Sequence, residues 1–531
     1  YRKRVITKSV LLQKARYYEK RVITESALLR KACYYRKRVI TESVLLRKVC
    51  YYGKYVITEK CVMSIISKKT IFAPITPVAM SAVGVIRISG ERTFDILSEI
   101  FSKSLKDVKS HTVHHGYIKD GDKIIDDVLV AVFRSPRSYT GEDVAEISCH
   151  GSPYVLSSVQ DLLLKKGAVL AKGGEFSRRA FLNGKMDVTQ AEAIIDLIES
   201  ESEKEASVAL DEIGGTLSRK IEEIRESLLS AASHLLAYVD YPDDGIEDMS
   251  AEDLRKVIRE NRVKLQSLEK SYESGKLIKN GVRVCITGKP NVGKSSLMNR
   301  LSGYERSIVA NVAGTTRDVV GETVIFGGVK LRLFDTAGIC RSDDEIEKLG
   351  VLKAEEEIKK ADVVFCLFDV SSSLDDDDAE VLSLVEKSDA EKIAVLNKVD
   401  KQKATKDDKL FSTNAEKSEL FDKKRLLSFN KTVEISAKEG FGIDDLERAL
   451  KEIFEENYSF ENRELIMNSR QRGCVAEAAE ALSRAEENIM MTPDVLLLDI
   501  EEAIDSLSLM TGKNVSEEVL ENIFSRFCVG K

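Results

Sequence analysis

The residues best suited to chemistry form the series Gly288-x-x-x-x-Gly293-Lys294-Ser295, inside the run 282–300. The order is that of a loop built for a polyphosphate. Glycines let backbone N–H groups turn inward around the phosphates, and a following helix adds the partial positive charge of its N-terminus. Asn291, Val292 and Gly293 would present backbone donors, Lys294 would reach the β- and γ-phosphates, and the Ser295 hydroxyl would ligate Mg²⁺, with Ser296 next on the helix. An apolar strand-like run, Val282–Thr287, precedes the loop and a helical pattern follows it, which is the context the motif requires.

Further short elements follow at the spacing of a Ras-like GTPase. In Gly314-Thr315-Thr316-Arg317-Asp318 a threonine can complete Mg²⁺ coordination. Asp335-Thr336-Ala337-Gly338 offers an aspartate to the Mg²⁺ shell and a glycine N–H to a γ-phosphate. Asn397-Lys398-Val399-Asp400 places a carboxylate that can accept from guanine N1 and N2, a donor pair that adenine lacks, so ATP would leave the acceptor unpaired. Ser436-Ala437-Lys438 can offer a backbone N–H to guanine O6. Ras-type enzymes orient the attacking water with a glutamine directly after Asp-x-x-Gly. Here that position is Ile339, and the nearest source of a base is the acidic stretch 343–347.

The elements that must hold these residues can be read along the chain. At 531 residues the chain should contain about three domains. Apolar content of 43% and charge of 32% fit a soluble, helix-rich globular protein, and no apolar run approaches the ~20 residues that span a bilayer. Nine scattered cysteines without a CxxC pair point to neither a zinc site nor a disulfide framework, and fit a reducing cytoplasm. Residues 1–62 repeat with a 17-residue period: Tyr1, Tyr18, Tyr35 and Tyr52 each open a unit, and Val-Ile-Thr recurs within each. This segment carries 17 Lys+Arg against 4 Asp+Glu, a net of +13, so the remainder of the −7 chain holds about −20. The units are too alike for a folded array, and the expectation is translated repetitive upstream sequence with Met63 as the start; the alternative is a basic RNA-binding tail. An acidic body argues against a broad nucleic-acid footprint.

Residues 63–185 read as an α+β domain, with strands near Val83–Ile88, Val128–Phe133 and Val144–Ser148 and a helix from Pro153 to about Lys166. Its polar stretches 138–151 and 174–185 read, by chemistry alone, as capped loops with surface ion pairs. Residues 186–278 are helical. Thr189 to Glu192 has the pattern of a capping box, Ile194, Ile195 and Ile198 share a helical face, a second amphipathic run covers Leu217–Ala237, and a third helix begins after Ser250 and runs toward Tyr272. Residues 279–455 alternate strands and helices, with apolar runs ending in polar residues at Asp335, Asp369 and Asn397, and a charged surface insertion at 401–431. Residues 456–531 return to helices that would complete the bundle begun at 186, so the nucleotide-binding domain is inserted into a discontinuous helical domain.

Taken together, Val83-Gly-Val-Ile-Arg-Ile-Ser-Gly90, Thr140-Gly-Glu-Asp143, Gly174-Glu-Phe176 through Asn183-Gly-Lys185, the Gly314–Asp318 series and the terminal Cys528-x-Gly-Lys531 resemble the MnmE (TrmE) family of bacterial tRNA modification GTPases over residues 63–531. The resemblance implies a homodimer made by an N-terminal domain that binds a 5-formyltetrahydrofolate-type carrier, at Arg87, Glu146, Lys185 and Lys531. It reverses the bland reading of 138–151 and 174–185. It also implies K⁺ binding by Asn291 with Ala310, Val312 and Thr315, Mg²⁺ binding by Ser295 and Thr316, and a catalytic Glu347 that fills the gap at Ile339. Cys528 would sit near the folate. The implied activity is K⁺-stimulated GTP hydrolysis that works with the flavoprotein MnmG, itself a carrier of FAD and NADH, in a complex of both proteins. That complex installs a carboxymethylaminomethyl or aminomethyl group at C5 of the wobble uridine, U34, of certain tRNAs, in the cytoplasm. The chain departs from the family in holding Cys340 where an arginine is usual and in lacking a glycine-rich turn before Val83. An RNA-binding GTP switch in ribosome assembly and a pure signalling GTPase are the alternatives.

Overall fold

The computed structural model describes residues 69–240, 251–303, 322–335, 355–372, 374–404, 429–457 and 464–531. Residues 70–531 form one compact unit. The repeat at 1–62, the Gly314–Asp318 series, Thr336–Gly338, Ser250 and most of the 401–431 insertion lie outside the described residues. Among the described residues no helix is long and apolar enough to cross a membrane.

The N-terminal part is a six-stranded sheet, β1 (Ile71–Pro74), β2 (Ser81–Ser89), β3 (Thr112–Asp120), β4 (Lys123–Phe133), β5 (Val144–Gly151) and β6 (Val169–Leu170), in the order β3-β4-β5-β2-β1-β6. Helix α1 (Thr93–Ile100) follows β2, and α2 (Pro153–Lys165) and α3 (Glu175–Leu182) follow β5 and β6. Period-2 alternation decides the faces. Ile86, Ile88, Val128, Val130, Val132 and Ile147 are buried together with Leu97, Leu156 and Leu163 of the helices. The other face carries Val83, Val113, Tyr117 and Leu129, all exposed, and in the same rows the paired Arg87 and Glu146.

Four helices come next: α4 (Val188–Glu199), α5 (Glu203–Ile213), α6 (Thr216–Asp240) and α7 (Ala251–Asn280). The expected capping box is corrected. Asp187 caps α4, accepting from Gln190 N at 2.8 Å, while Gln190 Oε1 accepts from Asp187 N at 3.0 Å. Thr189 lies one residue inside the helix start, and its hydroxyl donates to the Met510 carbonyl instead. Ile198 is also exposed, apart from the half-buried Ile194 and Ile195. Helix α7 does not stop near Tyr272; it runs on to Asn280 and feeds β7 through Gly281, whose φ of +76° makes the turn.

The inserted domain holds β7 (Val282–Thr287), α8 (Lys294–Ser302), β8 (Glu322–Phe326), β9 (Val329–Asp335), β10 (Val363–Asp369), α9 (Asp376–Glu386), β11 (Glu391–Asn397), β12 (Lys431–Ile435) and α10 (Ile443–Asn457). The sheet order is β12-β11-β10-β7-β9-β8, parallel except for β8. Cores lie on both faces: Val284, Leu333, Phe365 and Val395 on one, Cys285, Val364, Cys366 and Ala394 on the other. This is why these strands read as unbroken apolar runs. The expected insertion ends earlier than 431. Phe429 packs edge-on against Phe368, and Asn430 Oδ1 accepts from Lys392 N at 2.8 Å, so both are anchored against the sheet just before β12.

The chain then returns as α11 (Ser469–Glu487), α12 (Pro493–Thr511) and α13 (Glu517–Ser525). Ile221, Ile224, Leu228 and Leu265 of the first segment share one core with Val475, Leu482, Ile500 and Leu507 of the second. Neither segment could bury its apolar stripe alone. Arg470 ties the two together by pairing with Glu192 at 2.7 Å and donating to the Met510 carbonyl at 3.1 Å.

Candidate functional site

The C-terminal ends of the parallel strands β7, β9, β10 and β11 deliver their polar residues to one edge of the sheet, the position where doubly wound sheets bind ligands. The loop after β7 needs its glycines. Gly288 and Gly293 have φ of +148° and +105°, and a Cβ at Gly293 would lie 2.2 Å from Asn397 Nδ2. Lys294 is buried, with Nζ on the Gly288 and Lys289 carbonyls at 2.6 and 2.8 Å. Ser295 and Ser296 are exposed at the start of α8, free to meet a ligand in front of the helix. Val292 is buried beneath the loop, and Asn291 is exposed with a φ of +63°.

The end of β11 staples this loop to the one after β12. Asn397, 2% exposed, donates from Nδ2 to the Val292 carbonyl at 2.7 Å and accepts at Oδ1 from Ala437 N at 3.0 Å. Lys398 donates to the Asn291 carbonyl at 2.7 Å. Ser436 donates to Asp400 at 2.6 Å, and this bond first of all holds the Asp400 carboxyl below the usual carboxylate range, ionised and ready to accept from a base. Lys438 is exposed at the lip. A cavity of about 380 Å³ opens between α8 and the Ala437–Lys438 turn, lined by Ser296, Asn299, Arg300 and Gly303.

The glycine cradle, the lysine and the staple fit a guanine nucleotide, and Ser295 stands where a Mg²⁺ ligand is needed. Asp335 ends β9 at the same edge. Ala310, Val312, Thr315, Thr316, Thr336, Ala337, Gly338 and Glu347 lie outside the described residues. Two supports escaped the sequence reading. Arg300 donates to the Ala437 carbonyl at 3.2 Å and to that of Lys438, fixing the base-side turn. Lys289, inside the phosphate loop, is gripped by Asp375 at 2.8 Å and Asp378 at 2.6 Å. No local motif announces either, because each partner comes from another element.

A second site forms on the open face of the N-terminal sheet. Arg87, 9% exposed, pairs with Glu146 at 2.8 Å and donates to the Gly530 carbonyl at 3.3 Å. Its guanidinium lies 4.9 Å from the Tyr139 ring centroid and 5.6 Å from that of Phe176. Lys531 Nζ lies 5.9 Å from the same Tyr139 ring, and its main-chain oxygen accepts from Phe176 N at 3.1 Å. Burial, then the Arg87 charge, pushes the Lys531 ammonium below the usual lysine range. Tyr139 is held neutral by burial and bonds Ser177 at 2.7 Å. Two cations and the Tyr139 ring around one carboxylate suit a flat anionic ligand. Arg87, Glu146 and Lys531 are thus brought together. Lys185 is exposed and reaches the Pro136 carbonyl at 3.2 Å, on the loop that carries Tyr139. Cys528 is exposed, three residues from the chain end. Tyr139 is a further member of this site, and the fully buried Phe176 supports Arg87 from the core; both sat within the polar stretches noted in the sequence, but nothing local marked their rings.

Residues 188–528 match the family model described as "MnmE helical domain", and residues 70–185 match "GTP-binding protein TrmE N-terminus". A relative from Acetivibrio thermocellus, named tRNA modification GTPase MnmE, is 39% identical over 475 residues, covering 87% of this chain and 99% of its own. Another of that name, from Cytophaga hutchinsonii, is 38% identical over 465 residues, covering 87% of this chain and 98% of its own. Among solved structures, Era of Aquifex aeolicus bound to GDP·AlF4⁻ is 27% identical, covering 38% of this chain and 66% of that one, at a TM-score of 0.25.

Proposed function

The chain belongs to the MnmE family of tRNA modification GTPases, and from that premise we propose that it is a K⁺-stimulated GTPase that acts with an MnmG-type flavoprotein on the wobble uridine of certain tRNAs. GTP hydrolysis in the service of tRNA modification is the activity. The observation that carries it is the staple of Asn397, Lys398 and the Ser436–Asp400 pair around the phosphate loop. Asp400 reads guanine. Lys294 leaves the Gly288 and Lys289 carbonyls for the phosphates, and Ser295 with Thr316 holds Mg²⁺, which neutralises phosphate charge when bound.

Asn291, with Ala310, Val312 and Thr315, holds K⁺, which supplies positive charge where other GTPases use an arginine. Glu347 orients the attacking water in place of a glutamine at 339. The partner carries FAD and NADH. The N-terminal site holds a 5-formyltetrahydrofolate-type carrier through Arg87, Glu146, Lys531 and, from the loop beside them, Lys185; Cys528 lies next to it. The exposed Val83, Val113, Tyr117 and Leu129 on the same sheet face support a homodimer through that face. The division into 63–185, 186–278, 279–455 and 456–531, with 1–62 apart from the fold and the whole acting in the cytoplasm, belongs to the same reading.

GTP turnover by the full chain in K⁺ and in Na⁺ buffer of equal ionic strength tests it. A large K⁺-specific stimulation that disappears in Glu347→Ala is expected. Equal slow turnover in both salts would remove the K⁺ mechanism.

A further inference from the structure

Asp369 ends β10 and is paired in register with Asn397 at the end of β11. No nucleotide-binding motif includes it, yet its carboxylate is saturated. Oδ1 accepts from Ser371 N at 2.9 Å and from Ser371 Oγ at 2.6 Å, and Oδ2 takes the Lys398 ammonium at 2.5 Å. Burial works against the charge, but the bonds from Lys398 and Ser371 outweigh it and hold the group below the usual carboxylate range.

The other end of the Lys398 ammonium is the Asn291 carbonyl, at 2.7 Å. One ammonium therefore bridges β10 to the phosphate loop. The two residues it joins to Asp369 both have positive φ: Asn291, at +63°, is of a type that tolerates the left-handed region, whereas Lys398, at +69°, is of a type that avoids it. The Lys398 conformation persists only where the surroundings impose it. A single neutral carbonyl would compete poorly with water for a lysine ammonium. A carboxylate with 12% of its side chain exposed, facing a lysine at 22%, is screened far less and decides where the ammonium stays.

We propose that Asp369 is a positioning residue for guanine-nucleotide binding: through the Lys398 ammonium it fixes the Asn291 backbone at the phosphate loop and the Lys398 stem at the base side. Ser371 acts behind it by orienting the carboxylate. This deepens the reading of 288–438 as a GTP site and rests on that reading.

The test uses the full chain and fluorescently labelled GDP, titrated in Na⁺ buffer so that K⁺ plays no part, with a thermal melt of each variant. Asp369→Asn should weaken GDP binding by about tenfold while the melting temperature stays within a few degrees. Asp369→Glu, which restores the charge, should recover most of the loss. In a Lys398→Met background, Asp369→Asn should weaken binding no further, because the route is already cut. GDP affinity unchanged in Asp369→Asn, or a full additional loss in the Lys398→Met background, overturns the proposal. Should Asp369→Asn fail to fold, Ser371→Ala replaces it: a two- to threefold weakening, roughly, supports the proposal and unchanged affinity overturns it. A wild-type chain that binds no GDP sinks the nucleotide reading itself, and is seen before any variant is compared.

Discussion

The two candidate sites are built in opposite ways. At the nucleotide edge the functional residues stand at the ends of successive strands or in the loops and helix start just beyond them, and the parallel sheet brings these ends together within 288–438. At the N-terminal face two residues of antiparallel strands meet the last two residues of the chain, and the bond from Arg87 to Gly530 spans 443 positions. The first site is assembled by regular backbone geometry that any such sheet provides. The second exists only if the C-terminal tail docks, and docking depends on close backbone approach. A Cβ on Gly174, at φ of +69°, would stand 2.2 Å from the Phe524 carbonyl oxygen, and one on Gly530 would stand 2.6 Å from that of Pro74.

The strongest separation of the two comes from Lys294→Ala. It should cut GTP turnover by about a hundredfold or more, while binding of a reduced folate, followed by calorimetry, is unchanged. The reciprocal change, removal of Cys528–Lys531, should weaken folate binding by about a hundredfold and leave GDP affinity within about twofold. Were GDP affinity to fall as far, the sites would not be independent.

The helical layer offers a third probe. Burial lifts the Glu212 carboxyl from its ordinary 4.5 to about 8, against the bond from Gln471 at 2.6 Å. The native state thus keeps a proton that the unfolded chain releases near pH 4.5. The stability tied to Glu212 is full below that pH and is lost as pH rises to about 8. Glu212→Gln, permanently neutral, should match the wild type in acid and exceed it at pH 9 by on the order of 3 kcal/mol, read from urea melts. A parallel pH dependence in both proteins would place the charge elsewhere.

Smaller effects test the docking itself. Gly174→Ala should cost ~2–3 kcal/mol, since strain and a backbone clash add. Gly184→Ala, at φ of +67° but with nothing within 4 Å of the added Cβ, should cost only ~1 kcal/mol. Equal losses would mean that the tail yields and the second site is less closely fitted than its contacts indicate.

Much of this molecule follows from local pattern. The phosphate loop, the strand ends at Asp335, Asp369 and Asn397, and the amphipathic run that became α6 could be read because their signals lie within a few residues of one another. Where neighbouring signals compete, the reading slipped. Thr189 to Glu192 reads as the cap of α4, but Asp187 takes that place, while Thr189 bonds the Met510 carbonyl and Glu192 pairs with Arg470. What local sequence could not supply were partners drawn from distant elements. Asp369 looked like the end of an apolar run until β11 placed Lys398 beside it, and Tyr139 and Phe176 gained meaning only when the tail set Lys531 near them. The physical reason is the range of the forces. Propensity, periodicity and capping act between residues close along the chain, whereas a salt bridge or a ring-cation contact requires only closeness in space, which the packed sheet and the docked tail alone create.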